Sequence, residues 1–242
     1  MKVVMHVSVG GQLAMQRQLN AIAANVANVA TPGYRAEGLR FSKLISKQEP
    51  TPVSFVSSGR TFIDTRHGAL KQTGNPLDVA LKGDVWMAVQ GPGGVIYTRD
   101  GRMTMLPTGE LVSVNGYPVL DAGGAPIVLN PKGGPPAIAR DGMITQDGRR
   151  IGAIGLFRMD PSARLFRAGN SGVIPDREPE PVVNFRDAGV LQGFIEDSNV
   201  NGALEMVHLI ATTNAFKQIT MALDTAEKAM LDAVRTLGGE GA

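Results

Sequence analysis

The chain has 242 residues, with 24 Lys plus Arg against 22 Asp plus Glu and no cysteine. A net charge of +2 with no Lys/Arg stripe argues against a nucleic-acid partner, and the missing cysteines exclude disulfides and thiolate metal sites. Low aromatic content (5%), 30 Gly and 15 Pro suit a turn-rich β body, and the length allows one compact core plus an extended helical part.

The first predicted element is an amphipathic helix over 4–29. Met5, Met15, Leu19, Ile22, Val26 and Val29 occupy a and d positions of a heptad register running from 5 to 29, with Ser8 and Gln12 at the remaining two. The run must stop at Thr31-Pro32-Gly33, because Pro cannot continue a helix and pushes the preceding residue toward extended backbone. Residues 34–66, with Pro50, Pro52, Ser54, Ser57 and Ser58, read as an extended connector. Strand and turn signals fill 67–190. Leu77–Leu81 and Val85–Val89 are short strands around Lys82-Gly83-Asp84, and Asp100-Gly101, Asn115-Gly116, Asp141-Gly142 and Asp147-Gly148 mark tight turns. A second long helix spans 199–237, with Asp197, Ser198 or Asn199 as its N-cap and Gly238-Gly239 as its end. Leu209, Phe216, Leu223, Met230 and Leu237 recur every seven residues, and Ile219, Ala226 and Ala233 make a second row. The expected architecture is α+β, with long N- and C-terminal helices pairing as a coiled coil around a central mainly-β domain. Its parts are 1–33 (N-terminal helix), 34–66 (connector), 67–190 (β domain) and 191–242 (C-terminal helix).

No stretch has the unbroken apolar core of a signal peptide or the length of a membrane span. That makes the protein soluble and not membrane-embedded, and cytosolic unless it is exported without a cleaved signal. Catalytic chemistry finds little support. His67, Asp100 and Ser171 follow the chain order of one serine-protease class, and Gly169-Asn170-Ser171-Gly172 resembles a nucleophile loop, but Asn170 stands where an Asp is required and triads are defined by geometry. His6, His67 and His208 are far apart in sequence, which is no metal-ligand spacing; phosphate-binding glycine loops are missing, and the Asp-Gly pairs lack alternating acidic ligands for calcium. No cofactor is expected, and the chain reads as a non-enzyme. The terminal stripes leave two alternatives: packing onto the chain's own β domain, or assembly with other chains.

The block Leu19-Asn20-Ala21-Ile22-Ala23-Ala24-Asn25-Val26-Ala27-Asn28-Val29-Ala30-Thr31-Pro32-Gly33-Tyr34-Arg35 resembles the N-terminal signature of bacterial flagellar axial proteins, the rod, hook and hook-associated subunits. Gly68–Asp84 with Tyr97-Thr98-Arg99-Asp100-Gly101 is similar to the central segment of the rod and hook subgroup. Gly193–Asn201, Glu205-Met206-Val207 and Asn214-Ala215-Phe216 match its C-terminal block. The chain departs from the family pattern at Ala24, where a second Asn is common, at Asn214, where Arg is usual, and at Trp86-Met87, where two Phe are common. The resemblance implies a structural subunit of the periplasmic rod, nearest the proximal-rod branch, with a distal-rod or hook-type subunit as the alternative. Its implied partners are copies of itself, other rod proteins and the flagellar type III export apparatus, which uses no cleaved signal. The assembly interface it implies comprises Met15, Leu19, Ile22, Val26 and Val29 with Leu209, Phe216, Ile219, Leu223 and Met230.

Overall fold

The computed structural model describes residues 2–40, 43–46, 53–56 and 59–238, with side chains over 10–40 and 59–236. Helix α1 (Lys2–Ala27) and helix α2 (Gly202–Gly238) flank a β-rich middle, which makes the fold α+β. α1 ends where Pro32 demands it. The Thr31 N–H donates to the Asn28 carbonyl at 3.1 Å, and the Thr31 hydroxyl lies 3.1 Å from Asn28 Oδ1. α2 begins later than its sequence suggests. Asn201 is its N-cap: Oδ1 accepts the Leu204 N–H at 3.1 Å, because Asn199 is engaged elsewhere. Glu205 in the first turn and Arg235 in the last complement the helix dipole.

The chain divides into two units. The first comprises residues 1–26, 37–62 and 201–242, and the second 27–36 and 63–200. In the first unit, the segment expected as a bare connector is paired with itself. β1 (Glu37–Arg40) pairs with β4 (Arg60–Ile63), and β2 (Lys43–Ser46) runs antiparallel to β3 (Val53–Val56) from Lys43 opposite Val56 to Ser46 opposite Val53. Pro50, Pro52, Ser57 and Ser58 lie outside the described residues. Phe62 lies against Gly38 and under the Arg40 guanidinium, 5.3 Å from the ring centre.

Along the second unit run β5 (Leu70–Gln72), β6 (Val79–Lys82), β7 (Trp86–Gly91), β8 (Gly94–Thr98), β9 (Met103–Met105), β10 (Leu111–Ser113), β11 (Ala137–Ile138), β12 (Met143–Gln146), β13 (Arg149–Ala153), β14 (Leu156–Arg158), β15 (Leu165–Ala168), β16 (Gly172–Pro175), β17 (Glu180–Pro181), β18 (Gly189–Gln192) and β19 (Phe194–Glu196). The largest sheet has the order β15-β16-β8-β7-β14-β17. β12 and β13 are joined at Asp147-Gly148, whose φ angles of 51° and 74° are both positive, as the sequence predicts for a two-residue hairpin turn. The end of the body returns to its start. β18 pairs with β6 and β19 with β5, and Gly193 turns between them with its N–H on the Asp78 carbonyl at 2.8 Å. Val79, Leu81, Val85, Met87, Leu111, Val119, Ile144 and Leu156 form the dry core between these sheets, each at most 2% exposed.

Candidate assembly interface and junction

On α1 the buried face is rotated by one residue from the expected seam. Ala14, Ala21 and Asn25 are buried and Gln18 is half-buried, a line spaced three and four apart, with buried Ile22 beside it on the expected seam. Of the expected interface residues, Ile22 is buried, Met15, Leu19 and Val26 are half-buried, and Val29 is exposed. The side chains of Met5 and Ser8 lie outside the described residues. Asn25 explains the rotation. Its Oδ1 accepts the Glu37 N–H at 2.8 Å and its Nδ2 donates to the Glu37 carbonyl at 2.9 Å, so a polar side chain on the apolar face clamps the first residue of β1.

The stripe on α2 is legible in the exposure pattern. Gly202, Glu205, Leu209, Thr212, Phe216, Ile219 and Leu223 are its shielded positions, at the three–four spacing of one helix face. Shielding stops there, and every side chain from Asp224 to Thr236 is exposed, including Met230, Leu231 and Val234 at 48%, 53% and 64%. Met230 therefore lies bare in the isolated chain, as does Ile210 on the opposite side of the first half. The side chain of Leu237 lies outside the described residues.

A buried ionic junction, unforeseen from sequence, sits in the second unit. Glu196, at 1% exposure, receives Arg35 on Oε1 at 2.6 Å and Arg99 on Oε2 at 2.8 Å, while the Gly68 N–H donates to Oε1 at 2.8 Å. Arg99 turns its remaining hydrogens to the carbonyls of Leu81, Gly83 and Val85, and stacks 6.0 Å from the Trp86 ring. Burial alone would raise the Glu196 carboxyl. The charges of Arg99 and Arg35 and the bonds from Gly68 and Arg99 outweigh it and hold the group below its ordinary value. Burial lowers both guanidinium groups, opposed chiefly by Glu196. Gly33 is pinned beside this junction. Its N–H donates to the Glu196 carbonyl at 2.7 Å, its φ is +69°, and a Cβ there would meet the Asp100 nitrogen at 2.2 Å. Tyr34 is buried under the Arg167 guanidinium, 4.4 Å from its ring centre.

The residues weighed as a triad have other engagements. Ser171 is buried with its hydroxyl 3.2 Å from that of Thr98, and Asp100 binds Arg102 through both carboxylate oxygens. His67 is 3.1 Å from Asp84 and 3.4 Å from Arg35. Ser171 and Asp100 line one cleft of about 310 Å³, of which His67 is not part. The side chain of His6 lies outside the described residues and His208 is exposed, and the described residues hold no cluster of three or more potential metal ligands. No described helix is long and apolar enough to cross a membrane.

Three family models match in order along the chain: the flagella basal body rod protein model over 5–35, the flagellar hook protein FlgE/F/G D1 domain over 80–148, and the flagellar basal body rod FlgEFG protein C-terminal model over 191–236. The chain is 45% identical to the flagellar basal-body rod protein FlgF of Mesorhizobium japonicum, covering 98% of both chains, and 47% identical to that of Rhizobium meliloti, covering 97% of this chain and 98% of the relative. The chain belongs to the FlgF family of flagellar basal-body rod proteins. Its likeness to the rod protein FlgG of Bacillus subtilis is lower, at 27% identity over 93% of this chain. The buried junction gives the FlgF match a physical meaning: each of the three matched segments contributes one of its charges, Arg35, Arg99 and Glu196 in turn.

Proposed function

We propose that the chain is a structural subunit of the proximal part of the bacterial flagellar basal-body rod, stacking helically to transmit torque. The observation that carries this reading is the collinear match to FlgF proteins over nearly the whole of both chains. A rod subunit also needs apolar surface that neighbours cover, and α2 carries Met206, Val207, Ile210, Met221, Met230, Leu231 and Val234 in the open. Long helices with uncovered apolar faces are marginal alone in water and gain order when packed, and contacts that repeat without closing on themselves generate a filament.

In this reading residues 1–33 and 191–242 form the inner tube, the 67–190 body lies outside it, and 34–66 joins the two. The interface comprises Met15, Leu19, Ile22, Val26 and Val29 from α1 and Leu209, Phe216, Ile219, Leu223 and Met230 from α2, within one subunit or between neighbours. The partners are copies of the chain and other rod proteins, delivered to the periplasm by the flagellar export apparatus without a cleaved signal. The role is mechanical and requires no catalysis. The test is a strain lacking its own copy. Supplying the tagged chain restores motility and places the tag in purified basal bodies; restored motility with the tag found elsewhere contradicts the assignment.

A further inference from the structure

We infer that Asn199 is a positioning residue that ties together three of the four places where the chain leaves the β body, those at residues 36, 63 and 200. Residues 33–36, 63–66 and 196–200 all belong to the second unit and border the first unit in sequence. Asn199 bonds to the other two segments at once. Its Oδ1 accepts the Ala36 N–H at 2.7 Å, and its Nδ2 donates to the carbonyls of Asp64 at 2.9 Å and Arg66 at 2.8 Å. Its backbone N–H adds a bond to the Tyr34 carbonyl at 3.3 Å, and the Asp64 N–H bonds the Ala36 carbonyl at 2.8 Å. An Asn side chain has one carbonyl and two amide hydrogens, and here every one is used on backbone. Aspartate in its place would face two carbonyls without a donor, and alanine would leave three backbone groups unpaired. Asn199 is not part of the apolar core, so the sheets do not need it to stay packed.

The role rests on the rod reading and extends it. In a turning rod, force enters and leaves the β body through its four exits, and Asn199 bonds across three of them. A side chain bonded across them shares a pull on one exit with the other two, where an untied exit would peel from its end. Asn199 thus sets how firmly each subunit holds its own terminal segments under torque.

Hydrogen exchange on the purified full-length chain tests the tie directly. In the parent, the Ala36 amide should be protected as strongly as Leu111 and Val119, whose N–H groups bond the Ile127 and Leu111 carbonyls in the core. Asn199→Ala should speed exchange at Ala36 about tenfold or more while Leu111 and Val119 stay unchanged. In cells whose only copy is Asn199→Ala or Asn199→Asp, basal bodies should form in normal number but release broken rods several-fold more often after a fixed shear. A role confined to folding would instead lower basal-body number and leave assembled rods as strong as the parent's, and that result overturns the proposal. Unchanged Ala36 exchange in Asn199→Ala overturns it as well. Should the variants fail to fold, the parent's Ala36 protection decides: core-like protection supports the tie, and loop-like exchange refutes it. If the tagged parent is not recovered in basal bodies, the rod reading fails, while the exchange result still judges the tie.

Discussion

Arg99 grips Glu196 through two nitrogens, Nε and Nη2, each 2.8 Å from Oε2, across 97 residues of sequence. Both side chains are 1% exposed, and Arg35 closes the junction from the other carboxylate oxygen at 2.6 Å. One carboxylate therefore faces two buried cations, so its removal is far costlier than the loss of a surface pair.

Glu196→Ala should destabilise the β body by about 3–5 kcal/mol, because Arg35 and Arg99 would be left buried without their counter-charge. Urea unfolding of the purified chain measures this. A loss of the size of a surface change, within about 0.5 kcal/mol, would mean that the junction contributes nothing.

The same carboxylate should make stability acid-sensitive. Its folded value is depressed, so its contribution is complete above the unfolded value of about 4.3 and is lost as pH falls through the lower folded value. Between pH 5 and pH 3 the parent should lose stability more steeply than Glu196→Gln, which has no carboxyl to titrate at this position. Parallel urea midpoints for the two chains across that interval would contradict the assignment.

Gly33→Ala should cost more than backbone strain alone, itself about 1–3 kcal/mol, because its new Cβ would also meet the Asp100 backbone. Gly93→Ala is the control, since nothing lies within 4 Å of a Cβ there and its change should stay within about 0.5 kcal/mol. Thermal melting of the two variants separates the cases, and equal melting points would refute the packing argument.

What was legible in the sequence had local causes. Heptad spacing and Pro32 marked the two helices, and Asp147-Gly148 marked its hairpin, because neighbouring residues decide those features. Asp100-Gly101 carries the same turn signal, but Gly101 has no positive φ; glycine is needed there because the Val79 carbonyl would lie 1.8 Å from a Cβ. The paired arm of β1–β4 is masked in the sequence by its Ser and Pro content, which hides a ladder that closes within the segment. The cap is not legible locally: three candidates at 197–199 precede Asn201, and only tertiary bonds show that Asn199 is occupied. The rotated face of α1 did leave a signal: a polar Asn25 within an apolar Ala run marks a position that reaches buried backbone. The three charges of the junction each lie in one of the blocks that resemble the family, but nothing local pairs them, because partners such as Arg99 and Glu196 are chosen by the fold.

The most direct test compares Leu223→Asp with Lys217→Ala. Leu223 is the last shielded position of the α2 stripe and Lys217 is exposed off it. Removing a buried Leu side chain costs about 2–5 kcal/mol, and an unpaired carboxylate in a dry interface costs more. With each tagged variant as the only copy in the cell, the measurement is its recovery in purified basal bodies alongside its level in whole cells. The account predicts that both are made with folded β bodies, that Lys217→Ala is incorporated as the parent is, and that Leu223→Asp is absent from the rod. Equal incorporation of the two would contradict the claim that this helix face builds the rod.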